Sequence, residues 1–325
     1  MEPLISISDL GVKFHLRKQQ LLRQSHFFAI RDITFNIHKK ATFCLIGESG
    51  SGKTTLVRAI LGLHRYQEGE ITYKGQPIKR HHDMIHKELI SNAQMVFQDP
   101  VSSLSPFLTL SQSIEEPLRT RGIGKKKRGT IVEKLAEQTN LSMDVLRRKP
   151  SKASDGQNQR ACIARALSTR PEMLFLDEPL TTLDAITHKQ VSELLCRVKE
   201  QYDLTFFLIT HDLGLVKKIG TTVAVMYLGR IVEKAPVADF FSKPLHPYSR
   251  ALLSSVLKPG IWKNKRIILE GEIQSQQYPP SGCVFHPRCY RKCSICKSIV
   301  PPFTTIGPDH EVCCHLYDKS SGISG

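Results

Sequence analysis

The pattern of apolar and polar positions at the start of the chain predicts β-strands. Residues 4–8 and 30–37 alternate between apolar and polar side chains, which is typical of a half-exposed antiparallel sheet. A basic, glutamine-rich loop at about residues 17–25 separates the two strands. Residues 69–75 give a further strand that ends in a turn.

Runs that are apolar throughout predict strands buried on both faces. Residues 42–46, 173–176 and 205–209 have this character, which central strands of a parallel sheet require. Residues 94–97 predict a shorter strand, and residues 186–202 predict a helix before the last of the central strands.

The middle of the chain predicts a helical insertion. Residues 99–158 are polar and helical in pattern, with breaks expected at Pro106, Pro117 and Gly122. Residues 223–226 and 230–233 then predict a final strand pair. From about Pro244 the composition changes to proline, cysteine and basic residues, which marks a separate C-terminal extension.

The composition is that of an ordinary globular protein with an excess of positive charge. Of the 325 residues, 40% are hydrophobic and 23% charged, and no apolar run approaches the roughly 18 residues of a membrane-spanning helix. The start lacks the pattern of a secretory signal, so we expect a cytoplasmic protein. The net charge of +16 favours anionic partners. The basic clusters at 125–128 and 147–149 lack interleaved aromatics, which favours solvated or lipid-facing loops over nucleic-acid binding.

The strongest chemical signal lies at residues 47–54. This stretch fits the G-x-x-x-x-G-K-[ST] pattern between a predicted strand and a predicted helix. The glycines let backbone N–H groups converge on phosphate oxygens, and the dipole of the following helix favours the same anion. A glycine-rich turn that binds nothing is the alternative. We predict a nucleoside triphosphate site formed by Gly47, Glu48, Ser49, Gly50, Ser51, Gly52, Lys53 and Thr54, with Lys53 at the phosphates and Thr54 on Mg²⁺.

Acidic and polar residues follow the predicted central strands. Asp177 ends a buried strand and suits Mg²⁺, while Glu178 suits a general base that polarises the attacking water. A strand-end pair that caps a loop is the alternative. Gln98 and His211 also follow strands, where they could contact Mg²⁺ and the γ-phosphate, and each is a weak signal alone.

Taken in order, these motifs resemble an ATP-binding-cassette (ABC) ATPase over about residues 4–320. The phosphate loop GESGSGKTT, the Q-loop VFQDP, the acidic strand LFLDEP, the D-loop LTTLD, the switch histidine ITHDL and a signature-like ASDGQNQRACIARAL all occur in the family's order. VFQDPVSSLSP, VMYLGRIVE, PLHPYSRALLSSV and GCVFHPRC look like the importer ATPases for oligopeptides, dipeptides or nickel.

The resemblance implies an α/β fold: a P-loop NTPase cassette with a RecA-like parallel-sheet core, an N-terminal antiparallel β subdomain and a helical subdomain. The cassette would span residues 1–243, with the helical subdomain at about 99–158. Residues 244–325 would form the small, cysteine-rich extension of the importer type.

The resemblance also implies a mechanism in which two ATPase subunits pair head to tail around two ATP molecules. Their closure and reopening would drive two transmembrane permease subunits, fed indirectly by a solute-binding protein, at the cytoplasmic face of the cell's inner membrane. The second ATPase is expected to be a different chain, and no direct nucleic-acid partner is expected. By this resemblance, residues 47–55, including Thr55, bind the phosphates, and Thr54, Gln98 and Asp177 bind Mg²⁺. The implied catalytic residues are Glu178, His211 and Lys53. Phe14 is implied to stack on adenine, and Ser154, Gly156 and Gln157 to contact the partner's ATP.

The signature departs from the family pattern L-S-G-G-Q at Asp155. A carboxylate there brings like charge to the partner's γ-phosphate, at a cost of roughly 4 kcal/mol at ~4 Å and an effective dielectric near 20. Our hypothesis is that the ATP site completed by Asp155 is impaired, whereas the site built on this chain's own phosphate loop hydrolyses ATP. The alternative is that Asp155 merely serves as the N-cap of a helix.

Six of the cysteines lie near the end of the chain: Cys283, Cys289, Cys293, Cys296, Cys313 and Cys314. Spacing alone permits a zinc site or a [4Fe–4S] cluster. The resemblance favours the iron–sulfur cluster, because the family's cysteine pattern matches Cys283, Cys289, Cys296 and Cys314, with Cys293 and Cys313 as possible substitutes.

Two other functions compete with the importer subunit. One is a soluble ABC ATPase that acts on nucleic acid, which the basic charge and the cysteines allow. The other is a catalytically weak regulatory subunit, which Asp155 alone suggests. The sequence does not identify the transported solute.

Overall fold

The computed structural model describes residues 2–16, 25–79, 83–256, 267–272 and 274–318. Most of the basic loop predicted near residues 17–25 lies outside these ranges. The chain divides into two compact units. The first comprises Met1–Ile37, Thr42–His81 and Thr210–Gly325, and the second comprises His38–Ala41 and His82–Ile209.

The N-terminal half of the first unit contains an antiparallel sheet. The elements of this part of the chain are β1 (Pro3–Leu16), β2 (Ser25–His38), β3 (Thr42–Ile46), α1 (Lys53–Ile60), β4 (Glu68–Tyr73) and β5 (Gln76–Pro77). The sheet has the order β2-β1-β4-β5. In β1 and β4, Ile5 faces Tyr73 and Ile7 faces Ile71, and all four side chains are buried. The alternating pattern therefore gives one buried face, as predicted.

The second unit combines three parallel strands with the predicted helical region. Its elements are α2 (Met84–Asn92), β6 (Ala93–Val96), α3 (Pro100–Ser103), α4 (Leu110–Thr120), α5 (Lys125–Gln138), α6 (Met143–Leu146), α7 (Asp155–Ser168), β7 (Met173–Asp177), α8 (Ala185–Gln201) and β8 (Thr205–Ile209). The strand β7 lies between β6 and β8 and pairs in parallel with both, and its residues are all buried. This confirms the prediction of buried parallel strands.

The helix α4 corrects one prediction. Pro117 was expected to break the helix, but α4 continues through it to Thr120. An interior proline removes one backbone hydrogen bond and crowds the preceding turn, but here the buried apolar face formed by Leu110, Ile114 and Leu118 holds the helix on both sides of it. Gly122 lies just beyond the helix end, where its φ of 73° suits glycine.

The C-terminal part of the first unit extends a sheet that begins at β3. Its elements are α9 (Leu213–Ile219), β9 (Thr222–Tyr227), β10 (Arg230–Pro236), α10 (Val237–Ser242), α11 (Pro247–Val256), β11 (Phe303–Gly307) and β12 (His310–Cys313). The order is β11-β12-β10-β9-β3, in which β3 and β9 are parallel and β10, β11 and β12 add antiparallel pairs. The predicted pairing of β9 with β10 is confirmed, but these are not the final strands, because β11 and β12 follow them. Two more short strands, β11 and β12, lie in the cysteine-rich stretch. The sequence pattern did not predict them because they are only five and four residues long.

Glu233 on β10 ties the extension to this sheet. Its fully buried carboxylate accepts hydrogen bonds from the backbone N–H groups of Leu245 and His246, each at 2.8 Å, and contacts Nε2 of His310 at 2.9 Å. Burial lowers the pKa of His246 to about 4, so its neutral ring can accept the N–H of Tyr248 at Nδ1. The predicted boundary at residues 243/244 remains a prediction.

Among the described residues, no helix combines the length and the apolar character needed to cross a membrane.

Candidate functional site

The phosphate loop joins β3 to α1 and depends on two of its glycines. Gly47 has a φ of 153° and Gly52 a φ of 105°. A Cβ atom would lie 2.2 Å from the carbonyl oxygen of Met226 at Gly47 and 2.6 Å from that of Ala29 at Gly52. No side chain fits at either position, so these glycines allow the close backbone approach that shapes the loop.

Hydrogen bonds within the loop hold its ends together. Nζ of the buried Lys53 donates to the carbonyl oxygens of Gly47 and Glu48, both at 2.9 Å. The N–H of Gly229 donates to the carbonyl oxygen of Ser51 at 2.9 Å. Within the described residues the buried Oγ of Ser51 has no hydrogen-bond partner, which leaves it to a ligand.

The start of α1 is suited to an anion. Gly52 precedes the helix and provides no side chain to cap it, while Lys53, Thr54 and Thr55 form its first turn without any acidic residue. The backbone N–H groups of a first turn and the positive end of the helix dipole attract phosphate. Ser49 and Gly50, at the tip of the loop, are exposed to a ligand.

A pocket of about 290 Å³ lies beside the loop in the first unit. Its walls are the loop residues 48–51, the apolar side chains of Phe27, Tyr227 and Leu228, and the segment 274–277 of the C-terminal extension. Phe14 is half-buried and stacks on Phe27, with ring centroids 6.0 Å apart, while its edge meets His64. The aromatic residue predicted for adenine therefore touches the pocket wall through Phe27.

The structure adds contacts that the sequence motifs did not assign. The carboxylate of Glu48 pairs with Arg288, and the backbone N–H of Glu48 donates to the hydroxyl of Tyr248 at 2.9 Å. Both partners lie inside family-like motifs, HPYSR and GCVFHPRC. Those motifs were the only signal in the sequence, and they did not indicate a contact with the phosphate loop.

In the second unit, the acidic pair stands at the carboxyl end of β7. Asp177 is buried, and Glu178 adopts a φ of 47°, which is rare for a residue other than glycine. The N–H of Glu178 donates to the carbonyl oxygen of Ile209, and its Oε2 accepts the hydroxyl of Thr181 at 3.1 Å. These contacts fix both the backbone and the carboxylate of Glu178.

Gln98 lies at the same end of the neighbouring strand. β6 and β7 are parallel, with Val96 opposite Leu176, so the residues that follow each strand emerge at one edge of this unit's sheet. Gln98 is exposed there, and Asp99 behind it caps α3. The structure thus brings Gln98 and Asp177 to a common edge of this unit's sheet.

The signature segment starts α7 with a capping box. Oγ of Ser154 accepts the N–H of Gln157 at 3.3 Å, and Oε1 of Gln157 accepts the N–H of Ser154 at 3.0 Å. The alternative that made Asp155 the N-cap is therefore wrong, because Ser154 has the extended backbone and the hydroxyl position that a cap needs. Asp155 is instead the first helical residue and is exposed.

Contacts of Gly156 and Asn158 hold the signature segment in place. A Cβ atom on the buried Gly156 would lie 2.2 Å from Cγ2 of Thr187, so a larger residue here would displace that side chain. The buried amide of Asn158 donates to the carbonyl oxygen of Pro150 at 3.0 Å. The loop before the signature is thereby held to the helix that follows it.

The predicted site residues fall in both units. The first unit holds Phe14, residues 47–55 and His211, which is exposed and directly precedes Asp212, the cap of α9. The second unit holds Gln98, Ser154, Gly156, Gln157, Asp177 and Glu178.

The four cysteines predicted as cluster ligands influence one another. Burial, together with the charges of Cys283, Cys289 and Cys296, raises the pKa of Cys314 to about 12. Burial likewise raises the pKa of Cys283 to about 11, with contributions from Cys296 and Cys289. Each member of the set therefore lies within electrostatic reach of the others.

The remaining two cysteines differ from each other. Sγ of Cys293 lies 3.1 Å from Sγ of Cys296, at the edge of the set. Cys313 donates from its Sγ to the carbonyl oxygen of Pro301 at 3.0 Å. Among the described residues, no group of three or more histidine, cysteine or acidic side chains is close enough to hold a metal ion.

Comparisons with known proteins agree with the motifs. The "ABC transporter" family matches residues 30–181, and the "Oligopeptide/dipeptide transporter, C-terminal region" matches residues 232–296. The oligopeptide transport ATP-binding protein AppF of Bacillus subtilis is 39% identical over 97% of this chain and 98% of its own. The oligopeptide transport ATP-binding protein OppF of Haemophilus influenzae is 36% identical over 96% of this chain and 97% of its own.

Solved structures show the same fold. The ATP-binding cassette MJ0796 bound to ADP and Pi superimposes with a TM-score of 0.63 and 24% identity, over 72% of this chain and 98% of that one. CbiO1 from Clostridium perfringens gives a TM-score of 0.64 and 22% identity, over 75% of this chain and 92% of that one. With its two family matches and its full-length relatives, the chain belongs to the ATP-hydrolysing cassette subunits of ABC transporters, in the group with the oligopeptide/dipeptide transporter C-terminal region.

Proposed function

We propose that this chain hydrolyses ATP to drive the import of peptides, or of a related small solute, through two transmembrane subunits. One observation carries the proposal. A phosphate loop with an uncapped helix start and an extension of the oligopeptide/dipeptide transporter type occur in a single chain. Relatives that match nearly the whole chain are named as oligopeptide transport ATP-binding proteins. The family matches and relatives named above give no support to the nucleic-acid alternative.

In this proposal the phosphates of ATP bind to residues 47–55. The backbone N–H groups and the Ser51 hydroxyl would donate to phosphate oxygens, and Lys53 would turn from its carbonyl partners to the β- and γ-phosphates. Phe14 would stack on adenine beside Phe27.

The oxygen-bearing side chains of Thr54, Gln98 and Asp177 fit Mg²⁺, which prefers oxygen ligands. Bound there, Mg²⁺ would supply positive charge that offsets the negative charge of the phosphates.

Glu178 is the proposed general base, and His211 the proposed contact to the γ-phosphate. The positive φ of Glu178 and its hydrogen bond from Thr181 hold the carboxylate in one orientation. Backbone strain of this kind is a reason to suspect a functional position. Because a base must face the attacking water, a fixed carboxylate lowers the cost of positioning it.

We further propose that the partner ATPase is a different chain. Ser154, Gly156 and Gln157 would contact the γ-phosphate of the partner's ATP, with exposed Asp155 beside it. The like charge would weaken that site, whereas the site built on this chain's own Lys53 and Glu178 would hydrolyse ATP. Only one of two sites need lose activity in such a heterodimer. The complex would lie at the cytoplasmic face of the inner membrane, and a solute-binding protein would deliver its cargo.

We propose, from the resemblance of the cysteine pattern, that the C-terminal cysteines hold an iron–sulfur cluster rather than a single zinc ion. Burial raises the pKa of Cys283, Cys296 and Cys314, and the neighbouring cysteines of the predicted set add to each of these shifts. A [4Fe–4S] cluster spans more space and takes four thiolates.

Purification of the tagged chain from its own cells tests the assembly. We expect two multi-spanning proteins and a second cassette ATPase to copurify from gently solubilised membranes. Under anaerobic conditions, iron and sulfide in the same sample would support the cluster. A soluble pool that carries nucleic acid and no membrane partner would overturn the proposal.

Substitution of Glu178 tests the catalytic role. Glu178→Gln should lower the ATPase rate of the assembled complex by about 100-fold or more, while ATP binding persists, because only the base is removed. Glu133→Gln, on the exposed face of α5, is the matched control and should leave the rate unchanged. Unchanged hydrolysis in Glu178→Gln would show that another group activates the water.

A further inference from the structure

The phosphate loop and the cysteine-bearing extension meet at one ion pair. Nη1 of Arg288 lies 3.1 Å and 2.8 Å from the two carboxylate oxygens of Glu48, and 3.4 Å from the hydroxyl of Tyr227. Glu48 is the second residue of the loop, directly after Gly47. An arginine 240 positions away in the sequence thus contacts the nucleotide-binding loop.

This pair is unlike an ordinary surface ion pair. The side chain of Arg288 is 9% exposed and that of Glu48 is 23% exposed. Exposed pairs contribute little because water screens them, whereas a largely desolvated pair leaves an unpaired charge when one partner is lost. Removal of either side chain should therefore leave the charge of the other unpaired.

A cluster of aromatic side chains contacts the ion pair between Glu48 and Arg288. Tyr227, Tyr248 and Phe285 are buried and pack with ring centroids 4.8–5.3 Å apart. The hydroxyl of Tyr248 also accepts the backbone N–H of Glu48. The backbone and the side chain of Glu48 are thus held by separate groups on the same side of the loop.

The charge of Glu48 matters because the loop is proposed to bind an anion. A carboxylate in a loop whose N–H groups receive phosphate would repel that phosphate if it were unpaired. Arg288 neutralises this charge and draws the carboxylate toward Tyr227 and the extension.

We propose that Arg288 is a positioning residue for nucleotide binding, which holds the phosphate loop through Glu48 and neutralises its charge. The inference rests on the proposed function of the loop. Arg288 lies in a short 3-10 helix, His286–Arg288, between Cys283 and Cys289. The cysteine segment is then a structural part of the nucleotide site.

A double-mutant cycle tests this inference in the assembled complex. Arg288→Gln should weaken the binding of a fluorescent ATP analogue with Mg²⁺ about tenfold, since it leaves the Glu48 carboxylate unpaired. Glu48→Gln alone should lose less affinity than Arg288→Gln, because its neutral side chain does not repel the phosphate, although Arg288 then lacks its carboxylate partner. The double variant Glu48→Gln/Arg288→Gln should recover to within about threefold of wild type, because no carboxylate remains to be neutralised.

Steady-state kinetics gives a second readout. In Arg288→Gln the KM for ATP should rise about tenfold while kcat changes little, because Arg288 does not touch the reacting atoms. Arg291→Gln, an exposed arginine on the same segment, is the matched control and should match the wild type.

Three results would overturn the inference: wild-type affinity in Arg288→Gln, no recovery in the double variant, or equal losses in Arg288→Gln and Arg291→Gln. If Arg288→Gln alone fails to fold, the affinities of the double variant and of Glu48→Gln still decide the question. Wild-type complex that binds no ATP would instead refute the proposed function itself.

Discussion

Two helices of this chain begin at places proposed to meet phosphate, and they begin in opposite ways. α1 follows Gly52, which has a φ of 105° and no side chain to cap the helix. α7 follows Ser154, whose hydroxyl accepts the N–H of Gln157 while the side chain of Gln157 accepts the N–H of Ser154. The first turn of α1 has no acidic residue, whereas that of α7 begins with Asp155.

The difference distinguishes a helix start that can bind phosphate as it is from one whose own hydrogen bonds must first be broken. At α1 the first-turn N–H groups and the positive end of the dipole have no side chain of the N-cap to satisfy them. At α7 the capping box satisfies two N–H groups, and Asp155 supplies the negative charge that the dipole favours. A phosphate can bind at α1 directly, but at α7 it competes with groups of the chain itself.

The largest expected effect comes from closing the open start of α1. Gly52→Ala places a Cβ atom 2.6 Å from the carbonyl oxygen of Ala29, at a φ that alanine rarely adopts. The loop must shift, and we expect the affinity for ATP to fall roughly a hundredfold. Titration with a fluorescent ATP analogue measures this loss.

Gly75→Ala is the matched control for that variant. Gly75 lies in the same unit and has a φ of 74°, but no atom of the described residues lies within 4 Å of the place where the new methyl group would stand. The substitution introduces similar backbone strain away from the phosphate loop, so ATP affinity should not change. Equal affinities in the two variants would show that the shape of the loop at Gly52 does not govern binding.

An intermediate effect is expected when the charge at the start of α7 is removed. Asp155→Asn keeps the size of the side chain and removes the repulsion of the partner's γ-phosphate. The turnover of the assembled complex should then rise about threefold or more. The ATPase rate of the heterodimer, measured at saturating ATP, gives the answer.

Asp239→Asn provides the control for charge. Asp239 is exposed in the first turn of α10 and has no proposed role in ATP binding. Both variants should lose a few tenths of a kcal/mol of helix stability, because a carboxylate favours a helix N-terminus. An unchanged or lower turnover in Asp155→Asn would contradict the hypothesis that Asp155 impairs a site.

The open helix start was predictable from sequence because its causes are local. The residue types of the loop and its neighbours in sequence set the turn between β3 and α1, and the predicted strand before the loop and helix after it match the structure. The parallel strands β6, β7 and β8 were predictable for a similar reason, since their apolar runs require burial on both faces.

The features that sequence missed depend on distant or competing contacts. The pair between Glu48 and Arg288 joins residues 240 positions apart, which no local pattern indicates. Pro117 lies within α4 because packing of the apolar face outweighs one lost hydrogen bond. The role of Asp155 was open because serine and aspartate are both good caps, and only the backbone angles of Ser154 decide between them.

The smallest expected effect tests whether the capping box of α7 is an ordinary helix start. Ser154→Ala removes the hydroxyl that accepts the N–H of Gln157, so the free energy of unfolding should fall by about 1 kcal/mol. Thermal unfolding should record a lower Tm, by about 2 to 4 °C. α4 offers a matched control, because Thr109 and Gln112 form the same box.

Thr109→Ala should lose about as much stability as Ser154→Ala, since the two boxes have the same hydrogen bonds. Only Ser154→Ala should also lower the ATPase rate of the assembled complex, because its hydroxyl is proposed to leave the cap for the partner's γ-phosphate. If the two variants lose stability equally and neither loses activity, the Ser154 hydroxyl serves the helix alone. The start of α7 would then differ from that of α1 in function as well as in geometry.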